Sequence, residues 1–352
     1  MHVLSVSSLK GGVGKTTVAL GLASAAFARG LRTLVVDLDP QCDATTALGA
    51  IGDFRETSAD VLQSPRHNIV HRSIVASSWA KVHAGNIDVM IGSPRVLMFD
   101  TPQPTLKDVW KLEEALARVE KQYDLVIIDT PPSINGLTRT AWVSSDRVLV
   151  VTEPSFFSVV ASDRAMKALD EIAKHINKRL KPVGVLVNRF QPQSQEHQFR
   201  LNELTEMFGS NLLPVRLEER AAMQQAQGAA RPIHAWPGET AAALATQFDS
   251  VLDLVWASFT NQKVSAPSGV LGGGIAEPAP TDIGRDTRAS RAAAASGAVG
   301  DRKAAKEAKR AAKAEKKFKN GKYGPHRGED GSGIVSLESF ENQFSSFFEE
   351  EN

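Results

Sequence analysis

The chain has 352 residues, with 41 basic against 40 acidic side chains and a formal net charge of +1 at pH 7. This balance excludes binding of nucleic acid through overall charge, and the length favours one large or two moderate domains. The single cysteine, Cys42, excludes an intramolecular disulfide framework, argues against an iron–sulfur site and fits a reducing cytoplasm. No apolar run reaches the roughly 20 residues that a membrane-spanning helix needs, and we expect no signal peptide, because a predicted strand begins at once. We therefore expect a cytoplasmic protein.

A glycine-rich loop with a lysine near each end follows the first predicted strand. Residues 3–6 are an apolar run typical of a buried strand, and residues 18–23 predict a helix packed on a sheet. The segment between them reads Leu9-Lys10-Gly11-Gly12-Val13-Gly14-Lys15-Thr16-Thr17. Strand, loop and helix in this order form a phosphate cradle, because backbone amides and the helix N-terminus face the anion. Lys15 is then placed to reach the β- and γ-phosphates, and the Thr16 hydroxyl to bind Mg²⁺.

This loop fits the standard pattern G-x-x-x-x-G-K-[ST] only in part. Gly14, Lys15 and Thr16 match, but Leu9 takes the place of the first glycine, and a second lysine, Lys10, opens the loop.

The rest of the first 260 residues alternates between predicted strands and helices. Further strands are predicted at 33–39, 87–92, 124–129, 147–152 and 183–188, and helices at 106–121, 158–177, 195–208 and 238–259, with a candidate helix start at 58–62. Near-continuous Val, Ile and Leu strands favour an α/β fold with a doubly wound, mostly parallel sheet. Such sheets bind ligands at the carboxyl ends of their strands, where Asp37, Asp39, Asp129 and Asn188 fall. We therefore predict one shared site.

Asp129 ends a strongly apolar strand and precedes Thr130-Pro131-Pro132. A carboxylate at this position can hold a Mg²⁺-bound water, which is the Walker B role. The alternative is a solvated aspartate at a strand end.

Residues 10–17 resemble the deviant Walker A motif of the ParA/MinD family of ATPases, and the ordered motifs of residues 1–260 resemble short ParA-like partition ATPases. The resemblance implies a P-loop NTPase fold, ATP and Mg²⁺ as cofactors, and a homodimer that forms with ATP. Lys10 would reach the partner's nucleotide, Lys15 would bind phosphate, and Asp39 would help to activate the attacking water. The implied metal site comprises Thr16, Asp37 and Asp129. The implied nucleotide contacts are Lys10, Gly11, Gly12, Val13, Gly14, Lys15, Thr16, Thr17, Asn188, Arg189 and Pro214.

Residues 39–45 resemble the family's D-P-Q-G-N-A-T switch, with Cys42 and Asp43 in place of Gly-Asn. This departure leaves Asp39 intact and bears on the loop's flexibility and dimer contacts. Asp43 can instead be the N-cap of the next helix, and Cys42 a small filler rather than a reactive thiol. The resemblance gives Asn188 a hydrogen bond to the adenine edge, while asparagine also suits a strand-end turn.

The implied function is segregation or positioning of a chromosome, plasmid or other cargo by an ATPase that binds DNA without sequence preference on the nucleoid. Candidate DNA contacts are Arg189, Arg216, Arg220 and Arg231, although Arg220 can instead pair with Glu218 or Glu219. The expected partner is a ParB-like or other cargo adaptor that stimulates hydrolysis, and a membrane surface is not expected. Two alternatives remain: a MinD-like membrane-cycling regulator of cell division, and a metabolic P-loop enzyme such as an amidoligase.

Beyond the ATPase domain, predicted at 1–262, the composition changes. Residues 263–301 predict a flexible linker rich in Gly, Pro and Ala. Residues 302–322 hold ten Lys/Arg against two Glu, which fits a basic helix, a solvated tail or a contact with nucleic acid. Residues 323–352 form an acidic tail whose phenylalanines share a helical stripe, typical of a peptide that docks on a partner or on its own ATPase domain. We expect this extension to be disordered or partly helical.

Overall fold

A computed structural model describes residues 1–50, 56–81 and 87–260 of the chain. The predicted linker, basic segment and acidic tail, residues 263–352, lie outside the described residues. Among the described helices, none combines the length and the apolar character needed to cross a membrane.

The described residues build one eight-stranded sheet in the order β3-β4-β2-β5-β1-β6-β7-β8. Its strands are β1 His2–Ser7, β2 Thr33–Asp37, β3 Ile74–Ala76, β4 Ile87–Met90, β5 Leu125–Asp129, β6 Arg147–Thr152, β7 Lys181–Phe190 and β8 Leu212–Glu218. Every neighbouring pair is parallel except β3 with β4. The predicted α/β fold with a doubly wound, mostly parallel sheet is therefore confirmed.

Helices connect the strands. They are α1 Lys15–Ala28, α2 Asp43–Ala47, α3 Ser58–Gln63, α4 His67–Ser73, α5 Leu106–Val109, α6 Lys111–Ala117, α7 Gly136–Val143, α8 Phe156–His175, α9 Gln195–Phe208, α10 Ala221–Gly228 and α11 Glu239–Thr260. The helix predicted at 106–121 is wrong in detail, because the chain turns at Trp110 and forms α5 and α6 instead. The sequence prediction also missed β8, which carries Pro214 in its interior.

Both faces of the sheet are buried, and alternate residues of each strand serve opposite cores. In β5, Val126 and Ile128 enter one hydrophobic cluster while Leu125 and Ile127 enter the other. The first cluster includes residues of α6, α7, α8 and α9, and the second includes residues of α1, α10 and α11. This two-sided burial explains why the strands are apolar without alternation.

Helix α1 lies between the sheet and α11, so it is apolar on nearly all sides. Its Gly21 faces Phe248 of α11, whose side chain is buried. A Cβ at Gly21 would lie 2.2 Å from ring atoms of Phe248, far inside van der Waals contact. Glycine therefore sets how closely the two helices approach.

We expect Gly21→Ala to lower the free energy of unfolding by about 1–3 kcal/mol, because the packed ring must move to admit the methyl group. Alanine's better helix propensity offsets part of this loss. The matched control is Gly228→Ala at the end of α10, where a Cβ meets no atom within 4 Å. Urea denaturation of both variants measures the effect. Equal stability of the two variants would show that α1 and α11 adjust to the methyl group.

Candidate functional site

The candidate site lies where the glycine-rich loop joins β1 to α1, at the carboxyl ends of the parallel strands. Gly14 caps α1 with a φ of 86° and a ψ of 34°, in the left-handed region that glycine adopts without steric cost. A Cβ at Gly14 would also lie 2.3 Å from the amide nitrogen of Asn188. Backbone geometry and the Asn188 contact therefore both require glycine here. The first turn of α1 presents amide groups that have no partner within the helix, an arrangement that binds anions.

Two side chains of the loop reach carboxylates at the ends of neighbouring strands. The Lys15 ammonium lies 3.5 Å from Asp39 Oδ2, and only 8% of the Lys15 side chain is exposed. The Thr16 hydroxyl donates a 2.7 Å hydrogen bond to Asp129 Oδ2. The structure thus brings together four residues that the sequence placed in one site.

Asp129 is fully buried, and burial raises its pKa to about 6 although Lys15 and the Thr16 hydroxyl favour the charged form. Asp37 is its register partner on β2, and burial together with the Asp129 carboxylate raises the pKa of Asp37 to about 7. Among the described residues, no group hydrogen-bonds Asp129 Oδ1. A divalent cation would satisfy this oxygen and relieve the repulsion between the carboxylates. The donor set, a hydroxyl and carboxylate oxygens, fits Mg²⁺, with Thr16 and Asp129 as the residues that could hold it.

Asp37 uses its carboxylate to fix the loop that follows β2. Its Oδ2 accepts hydrogen bonds from the Thr45 amide at 2.8 Å and the Thr45 hydroxyl at 2.7 Å. Its Oδ1 accepts one from the Asp39 amide at 3.2 Å. Asp37 therefore positions Asp39, and direct contact of Asp37 with a metal stays a prediction. Sequence reasoning missed Thr45 as the second anchor of this loop.

Cys42 adopts a left-handed conformation, with a φ of 56°. It stands at the position of the glycine in the D-P-Q-G-N-A-T pattern that residues 39–45 resemble. Burial, reinforced by the nearby aspartates, raises the pKa of its thiol to about 11. The thiol therefore stays protonated at neutral pH, which agrees with a small filler rather than a reactive group. Cys42 also occupies the N-cap position of α2, so the interpretation of Asp43 as the N-cap is wrong by one residue.

Asn188, near the end of β7, packs on the glycine-rich loop. Its buried amide group donates a 2.8 Å hydrogen bond to the Val13 carbonyl, so it supports the loop's backbone. Contact of Asn188 with adenine stays a prediction.

Pro214 lies in the edge strand β8. Gln227 of α10 donates a 3.4 Å hydrogen bond to the hydroxyl of Thr17.

The four candidate DNA-binding arginines have different surroundings. Arg189, Arg216 and Arg231 are exposed, and the Arg216 guanidinium lies 5.8 Å from the ring centroid of Phe190. Arg220 forms an ion pair with Glu218, so the alternative of intramolecular pairing holds for it. The contact of any of these arginines with DNA stays a prediction.

The two lysines of the loop point to different surroundings. Lys15 is buried beside Asp39, whereas 33% of the Lys10 side chain is exposed. The Lys10 ammonium lies 2.5 Å from Glu153 Oε1 and 3.0 Å from the Ser155 hydroxyl, which both follow β6. The Lys10 ammonium therefore contacts the segment after β6, whereas the Lys15 ammonium contacts Asp39.

Comparison with known proteins agrees with this geometry. Residues 1–182, just over half of the chain, match the family model described as an AAA domain. The chromosome partitioning protein ParA of Caulobacter vibrioides is 27% identical over 237 residues, which cover 66% of this chain and 86% of that protein. The chain belongs to this AAA-domain family, as a member of the ParA/MinD ATPases.

Solved structures share the fold of this ParA/MinD protein. The ATP complex of a point variant of McdA from Cyanothece is 19% identical, with a TM-score of 0.62 over 73% of this chain and 96% of that one. The ADP- and magnesium-bound cobyrinic acid a,c-diamide synthase of Mycobacterium smegmatis is 20% identical, with a TM-score of 0.59 over 74% of this chain and 96% of that one. At these identities the likeness shows the fold alone.

Sequence reasoning missed Glu153 and Ser155 in this ParA/MinD protein. One signal could have found them, because Glu153 directly follows β6, as Asp129 ends β5. The rule that sites form at the carboxyl ends of parallel strands applies equally to both. Only the pairing of β6 beside β1 shows that Glu153 reaches Lys10.

Proposed function

We propose that this protein is an ATPase that dimerises with ATP, binds DNA without sequence preference and segregates or positions a chromosome, plasmid or other cargo. The observation that carries the proposal is the difference in burial between the side chains of Lys10 and Lys15. Lys15 is buried and faces the chain's own carboxylates, so it suits phosphate bound in the same chain. Lys10 is one-third exposed at the rim of the site, so it suits phosphate held by a second copy.

Each residue of the site has its own role in binding or hydrolysing ATP. Loop amides and Lys15 bind the phosphates, and Thr16 and Asp129 would hold Mg²⁺, which neutralises phosphate charge when bound. Asp39, fixed by Asp37, orients a water that attacks the γ-phosphorus. The bond from this phosphorus to the β–γ bridging oxygen breaks, and ADP and phosphate leave.

DNA binding follows from dimerisation. A dimer carries twice as many exposed arginines as a monomer. When arginines of both copies contact phosphates of the same DNA, avidity raises the affinity for DNA. The partition role of the Caulobacter ParA relative supports DNA as the surface on which the dimer works. Hydrolysis would return the chain to a monomer that leaves the DNA. A ParB-like or other adaptor that speeds hydrolysis would then move its cargo along the nucleoid.

The test is the loss of Lys10. We expect Lys10→Ala to bind ATP like the wild type, because Lys15 and the loop amides remain, but to stay monomeric and hydrolyse little. We also expect it to lose the gain in DNA affinity that ATP gives the wild type. Sedimentation measures the dimer, and fluorescence anisotropy of a labelled duplex measures DNA affinity at several salt concentrations.

The readout is the ratio of DNA affinities with ATP and with ADP, because the basic segment at 302–322 can bind DNA without nucleotide. Lys178→Ala is the matched control. Lys178 is exposed and lies between α8 and the amino end of β7, whereas the candidate site lies at the carboxyl ends of the strands. An ATP-dependent dimer of normal affinity in Lys10→Ala would refute the role of Lys10. Equal DNA affinity of the wild type with ATP and ADP would refute the DNA-binding cycle.

A further inference from the structure

Lys10 lies in a small polar cage formed by the segment after β6. Two of its three N–H bonds point at Glu153 Oε1, 2.5 Å away, and at the Ser155 hydroxyl, 3.0 Å away. Ser155 is itself held in place, because its hydroxyl lies 3.3 Å from Glu153 Oε1 and 2.9 Å from the Ser158 hydroxyl. The cage therefore fixes both the ammonium group and its acceptors.

The pairing follows from the order of the strands. β1 and β6 are parallel neighbours, with Ser7 in register with Val150. The segments that continue from their carboxyl ends therefore run side by side, and this places Lys10 next to Glu153. The ion pair is partly shielded, since 33% of the Lys10 side chain and 22% of the Glu153 side chain are exposed. Water and salt screen it less than a fully exposed pair.

We infer that Glu153 is a positioning residue that holds Lys10 in the resting monomer and so opposes ATP-driven dimerisation. This inference rests on the proposed function. For Lys10 to bind phosphate on a second copy, its ammonium must leave Glu153 or bring that carboxylate close to the phosphate. The first change breaks the ion pair, and the second sets two negative groups against each other. Either way, the contact raises the concentration of ATP-bound protein needed for the dimer.

The size of the effect follows from the number of pairs. A partly exposed ion pair shifts an equilibrium by roughly fivefold. The symmetric dimer uses two Lys10 side chains and so breaks two pairs, which makes the expected change in the dimer dissociation constant about 25-fold. Ser155 is an uncharged acceptor, so its removal is expected to have a smaller effect.

The test uses Glu153→Gln in the full chain with ATP, because glutamine keeps the shape of the side chain and removes its charge. We expect dimerisation about 25-fold tighter than in the wild type. ATP affinity of the monomer should stay unchanged, because Lys15 supplies the phosphate contact there. The matched control is Glu114→Gln, which removes the same charge from a 3.0 Å ion pair between Glu114 of α6 and Arg118, the residue that follows this helix.

A double variant separates positioning from a general effect of charge. Lys10→Ala/Glu153→Gln should dimerise no better than Lys10→Ala alone, because Glu153 acts through Lys10. Dimerisation of Glu153→Gln equal to or weaker than that of the wild type would overturn the inference. A gain that persists without Lys10, or that also occurs in Glu114→Gln, would overturn it as well. If instead the wild type does not dimerise with ATP, the proposed function itself fails.

Discussion

Replacing Lys15 by glutamine is expected to weaken ATP binding by about 100-fold. The lost interaction is a charge-assisted contact with phosphate in a site that exposes only 8% of the lysine side chain. Glutamine keeps an N–H donor but not the charge, so the change isolates the electrostatic part. Titration with a fluorescent ATP analogue in the presence of Mg²⁺ measures the affinity. Thermal unfolding without nucleotide shows whether the variant is folded.

The control for this experiment is Lys178→Gln, the same substitution at an exposed lysine that lies just before the amino end of β7, away from the candidate site. ATP affinity close to that of the wild type in Lys15→Gln would mean that the cradle is not the phosphate site. Loss of affinity in both variants would point to net charge rather than to Lys15.

Asp39→Ala is expected to keep ATP but to lose hydrolysis by roughly 100-fold or more, because positioned acid–base groups contribute factors of this size. Removal of this carboxylate leaves the loop amides, Lys15 and Thr16 in place. The variant should therefore remain an ATP-bound dimer and stay on DNA. Phosphate release measures the rate, and sedimentation with ATP measures the dimer.

Asp43→Ala is the matched control, because Asp43 is an exposed carboxylate only four residues away, in the first turn of α2. It should hydrolyse ATP at a rate near that of the wild type. If Asp39→Ala does so too, the water-orienting role assigned to Asp39 is wrong.

The sequence predicted the elements of the site better than the contacts between them. Apolar strands with Asp37, Asp129 and Asn188 at or near their carboxyl ends reveal both the sheet and the side of it that carries the site, because their pattern is local. The contact of Asn188 with the Val13 carbonyl joins residues 175 positions apart, and no local pattern encodes it. The same holds for Glu153 and Lys10, which meet only because β6 pairs with β1.

Two of the errors in the predicted elements have identifiable physical causes. Pro214 weakens the strand pattern of β8, yet an edge strand tolerates proline because one side of its backbone needs no partner. The segment 106–121 has a continuous helical pattern, and its break at Trp110 is not encoded by glycine or proline. Tertiary packing decides such breaks, so local propensity does not show them.

The order of the strands also has a consequence for synthesis on the ribosome. β1 is made first, yet its sheet partners are β5 and β6, with His2 beside Leu125 and Ser7 beside Val150. The outer face of α1 is covered by α11, which ends at Thr260. At about 5–20 residues per second, the first strand and helix wait on the order of tens of seconds for these partners. The nascent chain therefore carries uncovered apolar surface through most of its translation and cannot complete its core until α11 has left the exit tunnel.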